Sequence, residues 1–247
     1  MESLKLLTAN KLKIIAVVTM FFDHFVSVFF PHNAMINLVF RVLGRTAAPV
    51  FCFFIAQGYH YTSDLKKYIT RLLIFAMVSH LPYNLAFGFG LSPLSATSVI
   101  WSLAMGLIAL AAIKNDEIHV VFKALILAVC CLLAWTANWF FIGVLWVVAF
   151  GLFHGNFKRQ IAAFCAIGVL YMAWNLRRFG LFDETFPQWF QLGIFLSIPL
   201  LMMYNGKIGK KSKAMTWLFY VFYPAHLILL YLLNNFTPLN EFLGGLF

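Results

Sequence analysis

The chain has 247 residues, of which 63% are hydrophobic and 11% are charged. Soluble domains average about a quarter charged residues and about half apolar ones, so this composition excludes a soluble globular protein. The formal charge of +10 would suggest a nucleic-acid partner in a soluble protein, but most Lys and Arg residues here lie between apolar runs. Basic residues in such places orient membrane proteins. We therefore expect a membrane protein that contacts lipid, with no nucleic-acid partner.

Nine apolar runs follow one another along the sequence, and a transmembrane helix needs about 20 such residues. They predict an all-α fold, a polytopic integral membrane bundle of about nine transmembrane helices. Because no internal repeat, low-complexity tract or soluble segment separates the runs, residues 1–247 are expected to form a single domain. The runs are Leu12–Pro31, Ile36–Tyr59, Tyr68–Leu91, Ala96–Ile113, Val120–Trp135, Trp139–Phe153, Gln160–Trp174, Trp189–Tyr204 and Trp217–Leu233.

The basic residues predict the orientation of these helices. With a cytoplasmic N-terminus, 14 of the 18 Lys and Arg residues fall in cytoplasmic segments, as the positive-inside rule requires. Asp23 and His24 interrupt the first run and no small-residue cleavage site follows it, which favours a retained helix over a signal peptide. We expect a multi-pass protein of the cytoplasmic (inner) membrane.

Ionisable residues inside the apolar runs indicate a functional site. Each charged group costs roughly 2.5 to 3.5 kcal/mol on insertion scales and normally faces a partner inside the bundle. With about 1.5 Å of rise per residue, those of four separate runs fall into one layer in the outer half of the membrane. The set comprises Asp23, His24, Arg41, Arg45, His80 and His226, with the uncharged Gln57 and Asn84 nearby.

Helical spacing refines this layer. Lys13 and His24 are eleven residues apart, so they lie on one stripe of the first helix. Arg41 and Arg45 share a face of the second. Asp23 points about 100° away from His24, so we expect it to pair with Arg41 or Arg45 instead.

Several common catalytic motifs are absent from the sequence. It has no H-E-x-x-H, G-x-S-x-G, P-loop or Rossmann fingerprint. The three histidines lie on different helices and have no local ligand spacing with the aspartate, so no metal is expected. The four cysteines all lie inside apolar runs and are expected to be packing residues.

Three sequence segments resemble the TraX family, membrane proteins associated with N-terminal acetylation of conjugative pilin and with fimbrial assembly. The first is LKIIA at 12–16 with Asp23-His24, the second is GRTAAPVF at 44–51 with Gly58, and the third is FYPAHL at 222–227. A wider similarity is to integral-membrane acyltransferases of the acyltransferase-3 type, many of which carry a basic residue, ten intervening residues and a histidine in their first helix. Lys13 and His24 have that spacing.

The resemblance implies an enzyme, an acyltransferase that uses cytoplasmic acyl-CoA, in particular acetyl-CoA, as donor. The acceptor at the outer face would be a pilin N-terminus or another surface molecule. It is not identified by the sequence, because the middle third departs most from the family.

The predicted site residues suit acyl transfer. His24 would act as general base or become transiently acylated. Arg41 or Arg45 would stabilise the oxyanion on the thioester carbonyl, and Asp23 would balance their charge. The predicted catalytic group is His24, Asp23, Arg45, Arg41 and His226; the predicted substrate-binding group is Lys13, His80 and Asn84. Lys13 would meet a donor phosphate, although a lysine at that border is also an ordinary topology signal. His80, close to Pro82, suits a structural role equally well.

Two other functions remain open. A proton-coupled transporter would also use buried Asp, His and Arg, but the odd helix count argues against two equal repeats. A non-catalytic scaffold for pilus or fimbrial assembly would need a partner surface instead of a buried ionisable layer.

Overall fold

The computed structural model describes residues 5–30, 34–90, 92, 95–179, 188–210 and 212–236. These residues form helices and no strands, with two isolated β-bridges, so the predicted all-α class is confirmed. The helices are α1 (Ala9–Phe29), α2 (Ala34–Gly44), α3 (Ala47–Tyr61), α4 (Leu65–Phe87), α5 (Val99–Lys114), α6 (Val120–Leu133), α7 (Phe140–Leu152), α8 (Phe157–Phe179), α9 (Ser197–Met202) and α10 (Lys213–Phe236), with 3₁₀ helices at Ala134–Thr136 and Gln188–Leu196.

Three helical stretches of the described chain are long and apolar enough to cross a membrane: Ala9–Phe29, Ile36–Tyr61 and Trp217–Phe236. Shorter apolar helices cover Val99–Lys114, Val120–Thr136, Phe140–Leu152 and Trp189–Met202. Helices suit a bilayer because they satisfy every backbone polar group within the segment. Each of the nine predicted runs contains helical structure among its described residues. The number that cross the membrane stays a prediction.

The second predicted run is two helices instead of one. Helix α2 ends at Gly44, Arg45 and Thr46 form a turn, and α3 begins at Ala47. Pro49 explains the break, because it has no N–H to donate to the carbonyl of Arg45, four residues earlier, and its ring would clash with that carbonyl. The Thr46 hydroxyl donates instead to the Leu43 carbonyl at 2.7 Å, which satisfies one of the last carbonyls of α2.

The run predicted at Trp189–Tyr204 is also composite. A 3₁₀ helix of nine residues leads into the six residues of α9. A 3₁₀ helix rises about 2.0 Å per residue, so the combined segment reaches about 27 Å, whereas an α-helix of equal length would reach about 22 Å. The tighter winding therefore lets a short segment approach the roughly 30 Å thickness of a hydrocarbon core.

The chain divides into two compact units. The first comprises Met1–Val50, Leu85–Gly88 and Leu170–Phe247, and the second comprises Phe51–Asn84 and Phe89–Val169. In the first unit, α1 packs against α2 and α10, and α2 packs against the 3₁₀ helix Gln188–Leu196. In the second, α5 packs against α6 and α7. The prediction of one domain stays a prediction.

Aromatic and small residues form the core of the second unit. Trp146 and Phe150 of α7 pack against Phe164, with ring centroids 5.2 and 5.7 Å away, and all three side chains are fully buried. Gly106 of α5 faces Val147 of α7 so closely that a side chain there would clash. The glycine therefore permits close packing of α5 against α7.

Backbone hydrogen bonds join the start of α1 to the segment that precedes α10. The Asn205 N–H donates to the Leu7 carbonyl at 3.0 Å, and the Leu7 N–H donates to the Met203 carbonyl at 2.9 Å. The Ala9 N–H, at the start of α1, donates to the Lys207 carbonyl at 2.9 Å. The two segments therefore lie at the same end of the first unit, as the predicted topology requires.

Cysteine labelling is expected to find positions 7, 62 and 205 on the cytoplasmic side. The Leu7–Asn205 backbone bond requires positions 7 and 205 to share a side, and the charge distribution assigns it to the cytoplasm. The measurement uses a membrane-impermeant thiol reagent after the four native cysteines have been replaced. Phe182, predicted to lie outside, is not among the described residues. Labelling of positions 7 and 205 from opposite sides would contradict the topology.

Candidate active site

A buried aspartate and two arginines form an ion cluster where α1 meets α2. Arg45 Nη2 donates to Asp23 Oδ2 at 2.8 Å, and Arg41 Nε lies 3.8 Å from Asp23 Oδ1. The Asp23 and Arg45 side chains are 7% and 8% exposed, whereas that of Arg41 is 22% exposed. The predicted pairing is confirmed, with Arg45 as the close partner and Arg41 as the more accessible cation.

Two residues that the sequence prediction missed hold this cluster in place. Gly44 lies directly against Asp23, and a methyl group there would overlap the aspartate Cβ. Phe190, in the 3₁₀ helix, faces both guanidinium groups, with its ring centroid 4.6 Å from Arg41 Cζ and 5.3 Å from Arg45 Cζ. Cation–π contacts of this kind stabilise a desolvated arginine by about 2 kcal/mol. The glycine next to Arg45 was the available sequence signal.

Gly44→Ala is expected to reduce the amount of folded protein in the membrane. The added methyl group would push α2 away from Asp23 and lengthen the Arg45–Asp23 bond, and overpacking typically costs about 1 to 3 kcal/mol. The measurement is the yield of monodisperse protein after detergent extraction. Gly90→Ala is the matched control, because no atom lies within 4 Å of a side chain at that position. Equal yields of the two variants would contradict the role of Gly44.

Two buried histidines from opposite ends of the chain meet in the same unit. His24 Nδ1 of α1 lies 2.9 Å from His226 Nε2 of α10, and both residues are at most 5% exposed. The ring centroids are 5.2 Å apart and the ring planes differ by 10°. The short nitrogen–nitrogen distance and the small angle between the ring planes indicate that the two rings are nearly coplanar and meet edge to edge through a hydrogen bond.

Aromatic side chains surround the histidine pair. His24 lies edge to face with Phe87, at a centroid distance of 5.2 Å, and Tyr223 lies 6.2 Å away. The ring of Phe222 stacks on His226 at 4.8 Å. These walls exclude water, which strengthens electrostatic interactions inside the site.

The five residues predicted to be catalytic lie in the same unit. Asp23 directly precedes His24 in the sequence. The guanidinium groups of Arg41 and Arg45 both lie within electrostatic range of the His24 ring. As predicted, Asp23 and His24 do not bond each other, because successive residues of α1 point in different directions.

Lys13 lies on the predicted stripe of α1. Its ammonium group is 5.5 Å from the centroid of the Phe219 ring of α10. On α1, His24 lies three turns after Lys13, and on α10, His226 lies two turns after Phe219. The later residues, His24 and His226, contact each other just as the earlier two do. The two helices therefore run parallel, with Lys13 nearer to their starts.

The other two predicted substrate-binding residues, His80 and Asn84, lie in the second unit. Asn84 is buried; its side-chain amide donates to the His80 carbonyl at 2.8 Å and accepts from the Ser95 hydroxyl at 3.0 Å. Both residues lie on α4, which continues through Pro82. The described contacts of Asn84 are structural, and substrate binding by this pair stays a prediction.

A second polar cluster in this unit was not predicted. His60 Nε2 donates to the Gly151 carbonyl at 3.0 Å, and His154 Nε2 donates to Gln57 Oε1 at 3.2 Å. The two imidazole rings stack with centroids 3.9 Å apart. Burial, followed by the neighbouring His60 and Lys114, lowers the pKa of His154, which lies beyond the end of α7.

The part of the chain that the structure describes holds no group of three or more His, Cys, Asp or Glu side chains placed to bind a metal ion.

The apolar helices and the buried ionisable cluster define a helical membrane protein with a polar site between α1, α2 and α10. The chain belongs to the TraX family, whose model, described as TraX protein, matches residues 8–234. It is also similar to a protein named probable fimbrial assembly protein FimC, serogroup H1, from Dichelobacter nodosus. The two are 26% identical over 232 residues, which cover 90% of this chain and 94% of the relative. No solved structure matches.

Proposed function

We propose that the protein is an integral-membrane acyltransferase of the cytoplasmic membrane. It would transfer an acyl group, acetyl in particular, from cytoplasmic acyl-CoA to an amine or hydroxyl presented at the outer face, such as a pilin N-terminus. The observation that carries this proposal is the buried His24–His226 pair beside the Asp23–Arg45 ion pair. A positioned imidazole and a fixed cation in a dry site are the two groups that acyl transfer requires.

The reaction needs a base and an oxyanion partner. His24 would take the proton from the acceptor as its nitrogen or oxygen attacks the thioester carbonyl carbon. When the tetrahedral intermediate collapses, the carbon–sulfur bond breaks and His24 returns the proton to the leaving thiolate. The products are the acylated acceptor and free CoA thiol, so His24 is neutral again at the end of the cycle.

Arg41 is the better candidate for stabilising the oxyanion. Arg45 is nearly fully buried and hydrogen-bonded to Asp23, whereas Arg41 is more exposed and 3.8 Å from the carboxylate. A guanidinium held by Asp23 and Phe190 does not have to reorganise when charge develops on the substrate. Arg45 would then hold the Asp23 carboxylate in place.

The donor would enter from the end of the unit where α1 and α10 begin. Lys13 lies there on the His24 stripe, and Lys207 and Lys210 belong to the segment hydrogen-bonded to the start of α1. Cations in this position suit the phosphates of acyl-CoA. This placement supports the donor-binding role proposed for Lys13.

Mass spectrometry of surface proteins tests the proposal. Cells that carry the chain should show an acyl mass on at least one surface protein, and cells without it should lose that mass. The name of the Dichelobacter nodosus relative favours a second function, non-catalytic assembly of fimbriae. An assembly factor would change the amount of surface pili and leave every acyl mass in place.

A further inference from the structure

The hydrogen bonds of the histidine pair determine which ring nitrogens carry protons. His226 Nδ1 lies 2.8 Å from the carbonyl oxygen of Phe222, four residues earlier on α10. A carbonyl oxygen can only accept a hydrogen bond, so His226 Nδ1 must carry a proton. In the neutral ring Nε2 is then an acceptor, and this is the atom that faces His24.

The constraint passes on to His24. Because His226 Nε2 accepts, His24 Nδ1 must carry the proton of the 2.9 Å bond. A neutral imidazole has one N–H, so His24 Nε2 has a lone pair. No described residue hydrogen-bonds to this nitrogen, so it is the nucleophilic or basic atom of the ring.

We propose that His226 is a positioning residue, which holds His24 in the Nδ1–H tautomer and so makes His24 Nε2 the reactive atom. This inference rests on the proposed acyltransferase function and assigns its base at atomic level. The arrangement follows the general logic of a base oriented by a third group, except that the orienting group is a neutral imidazole. His226 itself does not touch the substrate.

A neutral orienting group suits this position. An aspartate in place of His226 would add a second buried carboxylate to the unit that already holds Asp23, and a buried carboxylate without its own cation is costly. When His24 Nε2 takes a proton, the Nδ1–H bond to His226 becomes charge-assisted and therefore stronger. The pair thus stabilises the protonated state that exists only during the reaction.

The test compares two substitutions of His226 that differ in hydrogen bonding. In His226→Gln the side-chain amide can donate to the Phe222 carbonyl and accept from His24 Nδ1–H, so the tautomer is kept. His226→Leu has similar bulk and no acceptor, so His24 should shift to the Nε2–H tautomer. We expect His226→Leu to lose roughly 10² to 10⁴ in kcat, as for removal of the base, with little change in KM. His226→Gln should stay close to the native rate.

Nitrogen-15 NMR of histidine-labelled protein in lipid nanodiscs reads the tautomer without requiring activity. The His24 signals are assigned from a His24→Asn sample. The native protein should show His24 protonated at Nδ1 and unprotonated at Nε2, and His226→Leu should show the reverse. A native His24 protonated at Nε2, or a His226→Leu variant with full activity, would overturn the inference. The NMR result does not depend on turnover. A wrong tautomer assignment can therefore be distinguished from a wrong assignment of the acyltransferase function.

Discussion

Replacing His24 by alanine is expected to abolish acyl transfer while leaving folded protein in the membrane. Removal of a general base typically lowers the rate by about 10² to 10⁴. The measurement is the acyl mass on surface proteins in cells that carry the variant, alongside the yield of monodisperse protein after extraction. His119→Ala is a suitable control, because His119 is exposed at the start of α6 and lies in the second unit.

Full acylation by His24→Ala would rule out His24 as the base. A further measurement separates the base from a covalent acyl relay. Purified protein is incubated with acetyl-CoA in the absence of an acceptor and digested, and the peptide that contains His24 is weighed. The proposed base mechanism predicts no added acetyl mass. A stable acetyl adduct on His24 would contradict it and establish the relay.

The second large effect is expected from a double-mutant cycle at Asp23 and Arg45. Asp23→Asn and Arg45→Met should each lower the yield of folded protein, because removing one partner of a buried pair costs about 3 to 5 kcal/mol. The double variant should recover folding without recovering activity. Asp23→Asn should be the more severe single change, since it removes the carboxylate from both guanidinium groups, whereas Arg45→Met leaves Arg41 3.8 Å from the carboxylate.

The cycle is read by two quantities, the yield of monodisperse protein and the acyl mass on surface proteins. Arg177→Met serves as the control because Arg177 is exposed near the end of α8 and its replacement should leave both quantities unchanged. Additive losses of folded protein in the double variant would show that Asp23 and Arg45 are not energetically coupled. Arg41, one turn earlier on the same face, would then be the partner of Asp23.

The Asp23–Arg45 ion pair could be predicted from the sequence for two reasons. The two residues are close in the sequence, and an unpaired charge in a bilayer has a large free-energy cost. Asp23 on α1 and Arg45 in the turn that follows α2 are 22 residues apart, and a charge in a bilayer needs a partner close by. The same reasoning places Lys13 and His24 on one stripe. Helical periodicity therefore predicts which residues share a face of α1 and which charged residues of neighbouring segments can pair.

The histidine pair shows the limit of this reasoning. His24 and His226 are 202 residues apart, and a shared depth does not determine which helices are neighbours. Only the packing of α1 against α10 brings the two rings together. The tautomer of His24 also depends on the rotamer of His226 and on its bond to the Phe222 carbonyl. Neither can be inferred from the spacing of residues in the sequence.

Hydropathy alone also misses the breaks in helical geometry. The hydropathy of an apolar run is the same whether the run forms one α-helix or is interrupted. It therefore predicts neither the turn at Arg45 nor the 3₁₀ helix over Gln188–Leu196. Pro49 was the available sign of the first break. The second break brings Phe190 against the arginines, a contact made by residues more than 140 positions apart.

The distance along the chain between the two paired groups sets an order of assembly during synthesis. At about 5 to 20 residues per second, Arg45 follows Asp23 out of the ribosome within about 1 to 4 s, whereas His226 follows His24 only after about 10 to 40 s. The charges that oppose insertion are thus paired early, whereas the His24–His226 pair forms only with the last helix described. Under the proposed function, a nascent chain without α10 would lack the residue that orients His24, so acyl transfer would begin only once that helix is in place.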